Sequence, residues 1–279
     1  MTLRLTILGC GSSPGVPKPG PIAGGDWGVC DPNEPKNRRR RCSLLIERIG
    51  EYGETTVIVD TSPDFRAQVL AANVTRIDGV VFTHSHADHV HGFDDIRPYY
   101  QAQGTPIPVY ADEPTRQRIM DAFRYCFESP PGDRLYPPIA AMNDIRPGEI
   151  LSVDGPGGPV ELLPVLQLHG PIPSLGFRIG GDLAQLKGGV CYSPDISGLP
   201  AQSLELLADL DCWIVDALKP ERHLSHFSLE EALEWIARIK PRRAILTHLH
   251  ITLDYATLRR DLPGHIVPAH DGMVVEMPD

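Results

Sequence analysis

The run Gly79-Val80-Val81-Phe82-Thr83, followed at once by His84-Ser85-His86-Ala87-Asp88-His89, decides how this chain is read. The first five residues form a short apolar stretch of the kind a buried strand presents. Three histidines and an aspartate then fall within six residues. Side chains two apart in extended chain point to the same side, so His84 and His86 can share one metal ion. Asp88 and His89 come after the chain turns and can reach a second ion nearby. A lone histidine is ordinarily structural. Three imidazoles and a carboxylate this close make a ligand set, and one that suits zinc, manganese or iron better than calcium or magnesium.

Four ligands do not complete two ions. Working outward, His169 ends the apolar-patterned run 160–168, Asp195 follows Val190-Cys191-Tyr192-Ser193-Pro194, and His248 follows Ala244-Ile245-Leu246-Thr247. Each lies just past a predicted strand, where a sheet delivers side chains to one edge. The spacing predicts further strands over 3–9, 43–49, 55–60, 107–111, 175–180, 188–193 and 211–217, and helices over 63–73, 114–127, 202–209, 228–239 and 254–262. Ser228 and Glu231 form a capping-box pattern at the start of the fourth of these helices. A helix is also expected to begin near His91, and a closing hairpin-like stretch over 265–277. Residues 129–159, rich in Pro and Gly, read as a loop insertion, either a lid or a plain connection, within one domain spanning 1–279. Strands and helices interspersed through both halves would be buried well by helices outside two packed sheets, an α/β arrangement.

Composition excludes several classes. With 42% hydrophobic and 22% charged residues the 279-residue chain reads as an ordinary globular protein. No apolar run approaches the ~20 residues that span a bilayer, and the alternating Thr2–Leu8 segment reads as a strand rather than a signal peptide. A cytoplasmic location with no membrane partner is expected. The six cysteines are scattered without a Cys-x-x-Cys pair, as suits reduced buried thiols. A net charge of −10 repels a long nucleic acid on average. A small anionic substrate remains compatible, because a metal site carries its own local positive charge.

Asp60 at a strand end, His-x-His-x-Asp-His over 84–89, and the distant His169, Asp195 and His248 together resemble the metallo-β-lactamase superfamily. The resemblance runs from Gly9-Cys10-Gly11-Ser12 to Asp271-Gly272-Met273. It implies a four-layer αββα sandwich with the site at one edge. It implies that His84, His86 and His169 hold one ion, that Asp88, His89 and His248 hold the other, that Asp195 bridges them, and that Asp60 organises the loop without ligating. Ser225-His226-Phe227-Ser228-Leu229, the opening Gly9-x-Gly11-Ser12-Ser13-Pro14-Gly15-Val16-Pro17 and the Arg38–Ser43 stretch resemble the cyclic-phosphate phosphodiesterase branch, and more distantly RNase Z. By that resemblance His226 and Asp88 are the expected catalytic residues. The branch also carries a structural zinc on a cysteine cluster after the Val-Pro, where this chain has only Cys30, and RNase Z carries a tRNA-gripping arm with no counterpart here.

The expected activity is hydrolysis of a small cyclic or nucleotide-like phosphodiester. The ligand set would hold two divalent ions, zinc or manganese before iron, about 3.5–4 Å apart with a bridging hydroxide as nucleophile. Two alternatives stay open: a thioester or lactone hydrolase of the same fold, and a metal-bearing nucleotide-binding protein without turnover. Asp60, His91, His223, His250 and Arg41 are candidates for supporting the ligands or meeting substrate. His250 stands on the side of His248 if that segment is extended, and the Arg38–Arg41 run could meet a phosphate or simply face solvent. The resemblance is compatible with a homodimer.

Overall fold

The computed structural model describes residues 2–129 and 136–278. The chain opens with β1 (Thr2–Gly9), which pairs antiparallel with β2 (Ser43–Gly50), as β2 does with β3 (Gly53–Val59). Helix α1 (Phe65–Ala71) leads to β4 (Gly79–Val81), parallel to β3. Then come α2 (Ala87–Val90), α3 (Arg97–Gln103), β5 (Ile107–Ala111), α4 (Glu113–Phe123) and β6 (Ala140–Asp144). The chain next crosses to a second sheet through β7 (Leu151–Val153), β8 (Val160–His169), β9 (Ile172–Ile179) and β10 (Val190–Ser193). This sheet continues as α5 (Ala201–Leu204), β11 (Cys212–Asp216), α6 (Leu229–Ile239), β12 (Arg243–Thr247), α7 (Tyr255–Asp261) and β13 (Ile266–Pro268). Finally β14 (Val274–Pro278) returns to pair with β1. The sheet orders among the described residues are β14-β1-β2-β3-β4-β5-β6 and β13-β12-β11-β10-β9-β8-β7.

Alternation along the strands builds the layers. On β3, Val57 and Val59 face the inner core while Ile58 packs with the helical side. On β11, Cys212 and Ile214 face inward while Trp213 and Val215 pack with Ala232 and Ile236 of α6. A strand with apolar residues on both faces must be covered on both. The result is an apolar core between the sheets and a second core outside each, which is the αββα sandwich. Strands β8, β10, β11 and β12 run parallel, so their C-terminal ends share one edge. The ends of β3 and β4 meet that edge from the other sheet, where the Leu175 amide donates to the Thr83 carbonyl at 2.8 Å.

Three expectations require correction. Residues 129–159 are not a featureless insertion. They contain β6 and β7, the last strands of the two sheets, and so carry the crossing between them. An edge strand is covered less fully, and β6 shows only Ala140 fully buried, which erased the apolar pattern. Residues 130–135 of that stretch lie outside the described residues. The closing 265–277 stretch is not a hairpin, because β13 belongs to one sheet and β14 to the other. The helix expected near His91 ends there: α2 begins at Ala87 and includes both Asp88 and His89.

Candidate metal centre

The first sheet supplies the scaffold of the metal-ligand loop. Asp60, directly after β3, is buried and adopts the left-handed region at φ 62°. That conformation is tolerated by aspartate more readily than by most residues. Its Oδ1 accepts from the Thr83 amide at 2.8 Å, and its Oδ2 accepts from the Thr83 hydroxyl at 2.7 Å and lies 2.7 Å from His89 Nδ1. Asp60 therefore spends both oxygens on the loop and keeps a proton of His89 on Nδ1, so Nε2 is the nitrogen turned toward the cluster. His84 Nδ1 lies 3.0 Å from the Thr83 hydroxyl. Gly92 closes the same turn: a Cβ there would stand 2.0 Å from the Ser62 carbonyl oxygen, so no larger residue fits.

The second sheet supplies the opposing wall. His169, the last residue of β8, donates from Nδ1 to the Ser225 carbonyl at 2.5 Å, and its Nε2 lies 3.1 Å from His86 Nδ1. His248 follows β12 with φ 58° and turns back over the site. Asp195, two residues past β10, stands between the walls. Its Oδ2 is 3.0 Å from His89 Nε2, and its Oδ1 is 3.5 Å from His248 Nε2, 3.7 Å from His169 Nε2 and 4.0 Å from His84 Nε2. Among the described residues five sets of side chains bring their ligand atoms within 4.8 Å of one another: His84, His86 and His169; His84, His89 and Asp195; Asp88, His89 and His248; His169, Asp195 and His226; and Asp216, His226 and His248. All seven residues expected to ligate are gathered here.

The donor chemistry suits divalent cations. The Nε2 atoms of His84, His89 and His248 and the Oδ2 of Asp195 are buried without a hydrogen-bond partner, a costly state that a cation relieves. Burial holds the His84 ring well below its usual pKa, His169 at about 4 and His248 at about 3, which keeps them in the neutral form that ligates. Burial opposes ionisation of Asp195, but the His248 and His89 rings outweigh it and hold the carboxyl well below its usual range. His89 differs. Burial disfavours its charge, yet Asp195, Asp60 and Asp88 raise it well above the ordinary value. Positive charge is wanted at that point.

His226 stands beside this cluster, its ring centroid 4.5 Å from that of His248 and 4.7 Å from that of His169. Its Nδ1 donates to Asp216 Oδ2 at 2.7 Å. Burial works against a charge on the ring, but the Asp216 carboxylate lifts its pKa to about 9. Asp216 is the residue that reading the sequence missed. It ends the apolar strand Cys212-Trp213-Ile214-Val215 and is fully buried, the same signal that exposed Asp60 after Thr56-Val57-Ile58-Val59.

The remaining candidates divide. His223 lies near the site, its ring 5.2 Å from that of His226. His91 does not belong to the cluster: it caps α2 and packs edge-on against Phe123 at 6.2 Å. His250 does not share the side of His248 through an extended chain, because the backbone turns at His248; its Nδ1 pairs with the Thr252 hydroxyl at 3.2 Å. Arg41 lies 3.4 Å from Asp64 and serves the fold there. Arg39, two residues before it, is buried and donates to the Leu253 carbonyl at 2.7 Å, so it faces no phosphate, while Arg38 is exposed and lies over the Trp27 ring.

With this geometry in place, the comparisons are specific. Residues 55–249 match the beta-lactamase superfamily domain. The chain belongs to the metallo-β-lactamase superfamily and is a hydrolase of that superfamily, whose fold implies divalent metal ions. It is 31% identical over 276 residues to the octanoyltransferase of Porphyromonas gingivalis, covering 97% of this chain but only 51% of that protein. The chain thus spans about half the length of that relative. It is 23% identical to the coenzyme PQQ synthesis protein B of Pseudomonas aeruginosa, over 99% of this chain and 100% of the relative. The crystal structure of a diphosphatase from the PhnP family superposes with a TM-score of 0.82 at 32% identity, covering 99% of this chain and 98% of the other. No helix among the described residues is long and apolar enough to cross a membrane.

Proposed function

We propose that the chain hydrolyses a small phosphoric diester or diphosphate, with His84, His86 and His169 holding one divalent ion, Asp88, His89 and His248 the other, and Asp195 between them. The observation that carries this reading is the convergence of unpartnered imidazole nitrogens on the Asp195 carboxylate. Ions bound there supply positive charge for the phosphoryl oxygens and acidify water at neutral pH. The chain's own residues do the rest. Asp60 and Thr83 keep the Nδ1 sides of His89 and His84 occupied, so their Nε2 atoms would be the ones to hold the ions. His226 holds a proton on Nε2 and gives it to the leaving oxygen, while Asp216 fixes the ring through Nδ1. The diphosphatase relative supports extending the substrate class from diesters to phosphoric anhydrides, since both present a charged phosphoryl group with an oxygen leaving group.

The test is turnover of bis(p-nitrophenyl) phosphate, a 2′,3′-cyclic nucleotide and a nucleoside diphosphate sugar by protein loaded with zinc or manganese. Hydrolysis of at least one is expected, abolished by chelator and reduced at least about a hundredfold in His226→Ala. An octanoyl thioester is the counter-substrate, because the longer relative bears an octanoyltransferase name. Turnover of the thioester alone, with two ions bound, would overturn the phosphate reading.

A further inference from the structure

The histidines of the cluster are not all held alike. His84 has its Nδ1 against the Thr83 hydroxyl, His89 against Asp60, His169 against the Ser225 carbonyl and His226 against Asp216. A ring nitrogen bonded in this way fixes the direction of the other nitrogen. His248 is buried, yet among the described residues neither of its ring nitrogens has a hydrogen-bond partner. Asp216 Oδ1 stands 3.7 Å from its Nδ1, beyond hydrogen-bond reach. Stacking on His226, at an interplanar angle of 12°, leaves the ring free to slide in its own plane. The backbone must therefore place it, and that backbone lies in the left-handed region at φ 58°. A residue other than glycine keeps such a conformation only where its surroundings impose it.

The imposing contacts converge on the segment after His248. The Leu249 amide donates to the Cys10 carbonyl at 2.8 Å, and the His250 amide to the Leu218 carbonyl at 3.0 Å. Residues 250–253 then close a turn, the Leu253 amide donating to the His250 carbonyl at 3.1 Å. Arg39 spans that turn: Nη1 donates to the His250 carbonyl at 3.3 Å and Nη2 to the Leu253 carbonyl at 2.7 Å. Nη2 also donates to Asn37 Oδ1 at 3.1 Å. Asn37 extends the hold, donating from Nδ2 to Asp254 Oδ1 at 2.7 Å and accepting from the Tyr255 amide at 2.8 Å. Cys30 Sγ lies 4.0 Å from Nη1 and donates to the Ile251 and Leu253 carbonyls at 3.4 and 3.5 Å. Arg39 is 1% exposed, and none of its hydrogen-bond partners is a carboxylate. A guanidinium cannot shed its charge, so burying it among neutral acceptors is costly unless it meets several at once. A planar fork that reaches both carbonyls of one turn does so, and the single ammonium of a lysine does not.

We propose that Arg39 is a positioning residue for His248: its guanidinium braces the 250–253 turn and thereby sets the affinity for the ion that His248 holds. The assignment rests on the two-ion reading of the site, and zinc binding separates the two. Stripped protein is titrated calorimetrically with zinc, and the step that His248→Ala abolishes marks the ion in question. Removing a group that orients a ligand weakens metal binding about tenfold to a hundredfold. Arg39 acts through the backbone, so the lower end applies. Arg39→Lys, which keeps the charge but offers one nitrogen for two carbonyls, should weaken the marked step about tenfold. Arg39→Met should weaken it at least as much. The step belonging to His84, His86 and His169 should keep its affinity in both variants. An arginine that only props the fold would lower both steps together, or lower the urea midpoint with both affinities kept. Either of these results, unchanged affinity at the marked step, or failure of Arg39→Lys to fold by near-UV circular dichroism would overturn the proposal. Uptake of fewer than two zinc ions by the unaltered chain would overturn the two-ion reading, and the proposal with it.

Discussion

Asp216 gives His226 both its direction and its charge, and the consequence is a pH effect. The carboxylate holds the ring through Nδ1 and lifts its pKa to about 9 despite burial. A proton donor works only while protonated, so activity falls as pH rises through that value. Asp216→Asn removes the charge, lowers the pKa of His226 and should move the alkaline limb of the pH–kcat profile to lower pH, with kcat at pH 8 down by about a hundredfold. Asp216 also faces His248, its Oδ1 3.7 Å from Nδ1, so metal content is measured beside the profile and the two proteins are compared at equal loading. A profile of unaltered shape, merely scaled down, would mean that Asp216 only supports the fold. Much of the site was legible at this scale. His84 to His89, His169, Asp195 and His248 each follow an apolar run directly, and a sheet edge gathers such positions. Asp216 ends its apolar run as Asp60 does, but it was passed over because no histidine stands beside it in sequence to mark it as part of a ligand set. His250 was misread because periodicity carries no sign of the left-handed turn at His248.

At the scale of elements, the helix that follows His226 is what holds it. Helix α6 starts two residues past Phe227, and its first turn is locked reciprocally: Ser228 accepts from the Glu231 amide while Glu231 accepts from the Ser228 amide. Ser228 is also buried, so solvent cannot replace the lost bonds easily. Ser228→Ala should lower the free energy of unfolding in urea by about 1 kcal/mol, and Ser228→Asp, another good cap, should recover most of it. An unchanged urea midpoint in the alanine variant would show that packing of Ala232 and Ile236, and not the cap, sets the helix. This element was readable because its signals are local. The β6 strand was not, because it pairs with the distant Ile107–Ala111, and β7 was not, because it is only Leu151–Val153, too short to show a period before it turns back on Val160–Leu162. Pro137, Pro138 and Gly155 to Gly158 flank them and read as loop, and only the neighbouring sheet edges make the short segments between them strands. The same reason defeats the hairpin reading of 265–277: the two strands sit in sequence as a hairpin would, but each is claimed by a different sheet.

For the whole molecule, the site is a seam. The first sheet brings Asp60 and His84 to His89, the second brings His169, Asp195, Asp216 and His248, and Asp195 faces nitrogens from both. Ions held by both walls stabilise only the folded chain, by an amount set by their concentration over Kd; a thousandfold excess contributes about 4 kcal/mol. Stripping them with a chelator should therefore lower Tm by roughly 10 °C at pH 8, on the scale of about 2–4 °C per kcal/mol for chains approaching this size. The gap should also depend on pH, and its sign follows from His89. Without an ion, its three neighbouring carboxylates hold the ring protonated well above the usual histidine range. Below that raised value, each ion that takes His89 Nε2 must release a proton, so binding strengthens as pH rises and weakens as it falls. One proton released corresponds to about 1.4 kcal/mol per pH unit. Calorimetric scans of loaded and stripped protein at pH 6, 7 and 8 should show the gap in Tm widening with pH. Asp195→Ala, which removes the contact shared by the two sheets, should show almost none. A gap of constant size would mean that His89 is not displaced by the ion. A full gap in Asp195→Ala would mean that the stabilising ions bind within one sheet's loop and do not join the two halves.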